Sequence, residues 1–184
     1  MSDDRLLTLL RDHSFERRRV TLASGRESDW FIDCKQTALL AEGHALVGER
    51  MLEALGRLPE TPAAVAGVEL GGCPLASAVA LTSFLRDRPM NAIYVRKAAK
   101  EHGTRRPMEG DSAVIEGAAV AVLEDVVTTG GSTLAAVSRL RERGFRVAGV
   151  VALVDRGEGG AEALRDAGLA LVSLYGRADF LGPT

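Results

Sequence analysis

The chain lacks the features that mark several large protein classes. Its 184 residues contain only Cys34 and Cys73, too few for a disulfide framework and at no metal-ligand spacing. Free thiols in a reducing compartment, and so a cytoplasmic location, are the expectation. No apolar run approaches the roughly 18 residues of a membrane span. The acidic opening "MSDDRLLTLL" is unlike a signal peptide. A formal charge of -2 supplies no global field to recruit nucleic acid or an anionic membrane. Any anion must therefore be bound by local features. Neither a GxGxxG fingerprint nor a Walker A loop is present, and no repeat or low-complexity linker divides the chain.

What remains is an ordinary soluble composition, 46% apolar and 26% charged, on a length that suits one core. Strand-like and helix-like segments alternate. Leucines recur at helical spacing over residues 3–12. "RRRVTLASGRESDWFIDCK" predicts two strands around a Ser-Gly turn. A helix over 41–57 turns Leu46, Met51, Leu52 and Leu55 inward. The strand "AAVAGVEL" leads into a helix opened by Pro74, and "NAIYVRK" and "AAVAVLED" follow as strands. The helix "STLAAVSRLRERG" stops at Gly144. Then come the strand "RVAGVVALVDR", a short helix over 161–167 and a last strand "LALVSLYG". Strands apolar on both faces, alternating with helices, predict one α/β domain over 1–184 with a mostly parallel sheet.

In such a sheet ligands sit at the carboxyl ends of the strands. The segments found there are Glu69 to Gly72, Arg96 to His102, Glu124 to Thr133, and Asp155 with Arg156. Taken singly, each composition is that of an ordinary turn; their convergence on one edge is what points to a site. "TTGGST" precedes a helix, so its backbone N–H groups and the helix N-terminus suit a phosphate. Glu124 and Asp125 stand just before it. Carboxylates are poor neighbours for phosphate but good acceptors for the vicinal hydroxyls of a ribose. The combination points to a sugar 5-phosphate.

These residues carry a family resemblance. "VLEDVVTTGGST" resembles the phosphoribosyl-pyrophosphate signature of the type I phosphoribosyltransferases. Within that family, "VRKAAKEHG" and "PMEG" resemble the mobile catalytic loop of the orotate phosphoribosyltransferases, and "TLASGRESDWFIDCK" their N-terminal substrate hairpin. "GVELGGCPLA" is similar to their pyrophosphate loop and "VDRGEGGAEAL" to their orotate-side segment. The resemblance spans nearly the whole chain in order.

It implies the type I fold, with an N-terminal hood over about residues 1–38 and a mobile lid. The activity implied is transfer of ribose 5-phosphate from phosphoribosyl pyrophosphate to N1 of orotate, in pyrimidine biosynthesis. Mg2+ would be held mainly by the substrate, with no dedicated protein metal ligands. The roles carried over are leaving-group stabilisation by Lys100 and His102, with Arg96 and Lys97 beside them. Asp125 and Glu124 take the ribose and favour a cationic transition state. Val126, Val127, Thr128, Thr129, Gly130, Gly131, Ser132 and Thr133 complete the phosphate segment. Glu69, Leu70, Gly71 and Gly72 form the pyrophosphate loop through their backbone. Phe31 or Trp30 lies near the orotate face, and Arg156 pairs with its carboxylate or ring oxygens. Trp30 as plain core, and Arg156 as a surface partner of Asp155 or Glu158, are the competing expectations. Two departures stand out: some members carry a lysine where this chain has Ala23, for which Lys35 is a substitute, and a lysine where it has Gly71. The resemblance also implies a homodimer with the lid shared across the interface. Alternatives are transfer to a purine or other base, or a non-catalytic sensor of phosphoribosyl pyrophosphate. The chain has neither a spare DNA-binding domain nor a basic excess for the latter.

Overall fold

A computed structural model describes residues 4–21, 27–97 and 107–182. Helix α1 (Arg5–His13) buries Leu6, Leu9 and Leu10, and the Asp4 carboxylate caps it by accepting from the Leu7 N–H. The expected hairpin is present as two short antiparallel ladders. In these, β1 (Phe15–Glu16) pairs with β4 (Phe31–Ile32), and β2 (Val20–Thr21) with β3 (Glu27–Ser28). Two helices follow, α2 (Lys35–Ala38) and α3 (Ala41–Leu55).

The core alternates as its apolar runs require. It comprises β5 (Ala64–Val68), α4 (Gly72–Leu85), β6 (Asn91–Val95), β7 (Met108–Glu109), β8 (Ala119–Val127) and α5 (Gly131–Glu142). It ends with β9 (Arg146–Asp155), α6 (Gly160–Asp166), β10 (Leu171–Gly176) and α7 (Arg177–Leu181). Strand order is β10-β9-β8-β5-β6-β7, parallel except for β7 on the edge. Alternate side chains serve opposite faces. Val65, Leu123, Val151 and Leu153 join a core with α3 and α4. Ala66, Val122, Val150 and Ala152 join another with α5 and α6. That double burial is why these strands read as continuous apolar runs.

From β5 the chain moves through α4 to β6 on one side, whereas β8 leads to β9 on the other. The order therefore reverses between β5 and β8, which opens a crevice at their carboxyl ends. Glycines let the loop after β5 descend into it. A Cβ on Gly67 would lie 2.2 Å from the Gly72 carbonyl oxygen, and one on Gly72 would lie 2.4 Å from that of Leu123. Helix α4 consequently starts at Gly72, two residues before Pro74, which still falls in the first turn where no N–H is needed. The strand reading of "AAVAVLED" is also too short. Val126 pairs with Val154 and Val127 with Asp155, so β8 runs two residues past the acids. Glu124 and Asp125 lie within the strand rather than after it.

Candidate active site

Because successive strand residues point to opposite faces, the two adjacent acids separate. Glu124 faces α5 and is 3% exposed. Its Oε1 accepts hydrogen bonds from Ser132 Oγ at 3.1 Å and Thr133 Oγ1 at 2.8 Å. Burial pushes its carboxyl up to about 7, against the pull of those two hydroxyls and of Lys97; the charge of Asp125 adds to the rise. Asp125 faces the α2 and α4 side. Its carboxyl is also raised by burial, opposed first by the charge of Lys35. A Cβ on Gly71 would stand 1.9 Å from Asp125 Oδ2. Glycine there is the condition for the carboxylate to sit where it does. Any side chain at that position, a lysine included, would need this carboxylate elsewhere.

Lys35 reaches Asp33 at 2.5 Å, and Asp33 also accepts from Gln36 at 3.1 Å. Partial burial opposes the Lys35 charge, but the hydrogen bond and charge of Asp33, with Asp125 beyond it, hold the ammonium above its usual value. Lys35 is thus placed beside Asp125. The same burial, and the charge of Asp125, push the Cys34 thiol well up, so it stays protonated packing.

The loop before α5 folds through Gly130, which adopts a left-handed φ of 81° and leaves α5 without a side-chain cap. The first N–H groups of α5 are therefore free to meet an anion. Ser132 and Thr133 direct their hydroxyls to Glu124, so the loop's offer to an anion is chiefly its backbone N–H groups. Beneath it lies Gly160, where a Cβ would fall 2.6 Å from the Thr128 carbonyl oxygen. Sequence reasoning missed this glycine; its place at the start of a strand-following helix was the available signal. Val127 is buried, and Val126 partly so, in the two cores.

On the other side of the crevice, Glu69 and Leu70 are joined by a cis peptide. The Lys97 N–H donates to Glu69 Oε2 at 3.1 Å, which ties the ends of β5 and β6 together. Arg96 pairs with Glu109 at 2.8 Å. Lys100 and His102 lie outside the described residues, as does Ala23.

Arg156 does pair with Glu158, but not at the surface. It is 3% exposed, not a surface residue. Its Nε donates to Glu158 at 2.7 Å and its Nη2 to Ser28 Oγ at 2.8 Å and the Trp30 carbonyl at 3.2 Å. Its guanidinium lies 4.1 Å over the Trp30 ring, which also stacks on Phe180. Trp30, 2% exposed, is core, whereas Phe31 is half-buried under the guanidinium of Arg18. Arg156 and Ser28 line a cavity of about 450 Å3 between the hood and the end of β9. A larger cavity of about 890 Å3 lies at the opposite edge, between α3 and the amino ends of β5 and β6. Volume does not choose the site here, because the acids, the free N–H groups and Arg156 all converge on the carboxyl edge.

Comparison with known proteins agrees with this geometry. The family model described as a phosphoribosyl transferase domain matches residues 35–167. The chain is 66% identical to an orotate phosphoribosyltransferase of Sorangium cellulosum, covering 97% of this chain and 92% of that one. Among solved structures, it is similar to the Mycobacterium tuberculosis orotate phosphoribosyltransferase in complex with Fe(III) dicitrate. That match has a TM-score of 0.80 at 39% identity, covering 96% of this chain and 97% of the other. The same organism's enzyme in complex with phosphoribosyl pyrophosphate matches with a TM-score of 0.77 at 36% identity, covering 95% and 96%.

The burial of Glu124 has a measurable consequence. Its carboxyl is raised from 4.5 to about 7 in the fold, so the folded state keeps a proton that the unfolded state releases. Stability should therefore fall as pH rises through that window, by on the order of 3 kcal/mol at most. Glu124→Gln keeps an acceptor for Ser132 and Thr133 without the charge. Denaturant unfolding at pH 5 and pH 8 should show the variant gaining on the parent at the higher pH. An equal difference at both would place Glu124 in a solvated setting.

Proposed function

The chain belongs to the orotate phosphoribosyltransferases, and on that premise we propose that it transfers ribose 5-phosphate from phosphoribosyl pyrophosphate to N1 of orotate. The bond from C1 to pyrophosphate breaks, the bond from C1 to N1 forms as N1 gives up its proton to the departing pyrophosphate or to solvent, and pyrophosphate and orotidine 5-phosphate leave. The observation that carries this reading is the pair of oppositely facing acids, Glu124 buried and Asp125 half-buried, beside an uncapped helix N-terminus at the β5/β8 crevice. The likeness to an orotate phosphoribosyltransferase at 66% identity favours orotate over a purine, and an enzyme over a sensor.

In this reading the sugar phosphate meets the N–H groups of Gly131, Ser132 and Thr133. Asp125 and Glu124 accept from the ribose hydroxyls. As pyrophosphate departs, positive charge grows on the ring, and two carboxylates held in a low-dielectric crevice favour it. The backbone of Leu70, Gly71 and Gly72 cradles the leaving group, with Arg96, Lys97, Lys100 and His102 as its cations. Arg156 has Nη1 left for the orotate carboxylate, and its buried fork and the hood orient each other. Phosphoribosyltransferases of this type generally use Mg2+ with phosphoribosyl pyrophosphate. The residues fit such an ion: the Asp125 and Glu124 carboxylates are hard oxygen donors beside the ribose position. When bound, Mg2+ would supply charge neutralisation of the pyrophosphate, held mainly by that substrate.

The whole chain acts as one domain in this reading, with residues 1–38 as the hood. A homodimer is supported by the outer face of α4, where Leu81, Phe84 and Leu85 are exposed at 56%, 67% and 69%. An apolar helix with such a face calls for a cover. No helix of the described residues is long and apolar enough to cross a membrane. Nothing in the charge balance favours nucleic acid, and a cytoplasmic location suits the substrates.

Loss of orotate should require both phosphoribosyl pyrophosphate and Mg2+, and Asp125→Asn should fold yet lose on the order of 100- to 1,000-fold in turnover. Wild-type rates in the folded variant would remove Asp125 from the chemistry. Gly71→Ala should lose at least about 100-fold in kcat/KM with little loss of stability, because the short Asp125 side chain can swing aside. Activity within a few-fold of the parent would show that the carboxylate need not sit there. Finally, Lys100→Ala and Asp125→Asn chains, each inactive, should regain roughly a quarter of wild-type activity when mixed and allowed to exchange. No recovery after verified exchange would place the lid in its own chain's site.

A further inference from the structure

Resting on the proposed reading, one residue outside the family motifs quoted above holds the pyrophosphate side together. Arg139 lies on α5, two turns beyond the phosphate loop. Its Nη1 donates to the Arg96 carbonyl, and its Nη2 to the Lys97 carbonyl at 2.9 Å. The amides of the same two residues are held from other directions. The Arg96 N–H donates to the Pro107 carbonyl at 2.9 Å and the Lys97 N–H to Glu69 Oε2 at 3.1 Å. Both residues, Arg96 and Lys97, are thus fixed at N–H and C=O alike, where β6 ends.

We infer that Arg139 is a positioning residue: it sets the Arg96–Lys97 backbone so that both side chains face the pyrophosphate. Three observations carry this. A guanidinium fork satisfies two consecutive carbonyls at once, which an ammonium cannot do in the same geometry. The charge of Lys97 already bears on Glu124 and Asp125, so a small rotation of that junction alters the field in the crevice. The helix that carries Arg139 also presents the phosphate-binding N–H groups at its start. One rigid element therefore fixes the distance between the sugar-phosphate end and the pyrophosphate end of a single substrate. Nine residues of helix, Gly131 to Arg139, span roughly 12 Å, a length comparable to that of the ligand.

The test compares two ligands that share the sugar phosphate and differ in the pyrophosphate. Arg139→Ala should bind phosphoribosyl pyrophosphate, with Mg2+, roughly tenfold or more weakly. Its affinity for ribose 5-phosphate and its Michaelis constant for orotate should stay within about twofold. Arg139→Lys, restoring one of the two hydrogen bonds, should fall between. Equal weakening of both ligands would make Arg139 a structural residue of α5 and overturn the inference, as would unchanged binding of phosphoribosyl pyrophosphate. A wild-type chain that binds phosphoribosyl pyrophosphate but does not consume orotate would leave the binding comparison intact and overturn the catalytic reading instead. One that binds neither ligand overturns both.

Discussion

Two adjacent carboxylates withdrawn from water at the end of a central strand constrain everything around them. Glu124 and Asp125 sit at the crevice between β5 and β8, and neither has a salt bridge among the described residues. Burying an unpaired charge is costly, and the protein meets that cost partly with two hydroxyls on Glu124 and partly by raising both carboxyls. The cations nearby, Lys35 and Lys97, temper the field without neutralising it. Such a site is stabilised by a ligand that brings hydroxyls and positive charge. A ribose developing cationic character, carrying a metal-bound pyrophosphate, does both.

The surrounding glycines follow from the same constraint. Gly71 leaves room for the Asp125 carboxylate, Gly72 for the Leu123 carbonyl, and Gly160 for the phosphate loop. Each is a place where a backbone or carboxylate occupies the volume of a side chain. The hood answers a different need. It closes over the end of β9 through an aromatic stack of Phe15, Trp30 and Phe180 on which the Arg156 guanidinium rests. Arg156 therefore joins hood to sheet as well as lining the cavity between them.

The alternation of buried strands and helices was legible because a doubly covered sheet needs apolar residues at every strand position. The strand-end segments were legible because the topology places them on one edge. Arg139 was not, because its partners are carbonyls more than forty residues away, and an arginine on a polar helix face looks solvated. The burial of Arg156 was hidden for a related reason: its partners Ser28 and Trp30 belong to the hood, far back in the chain. The length of β8 was misjudged because the acids interrupt its apolar run while its hydrogen bonding continues through Val127.

The most direct measurement is the titration of Glu124 itself, by carbon NMR of labelled glutamate side chains assigned through Glu124→Gln. In the free protein Glu124 should titrate near the value of about 7 that burial imposes. With phosphoribosyl pyrophosphate and Mg2+ bound, it should move down into the ordinary carboxylate range, as the ligand supplies the missing positive partner. An ordinary value in the free protein, or one that does not move on binding, would contradict the view that this acid pair is the electrostatic centre of the site.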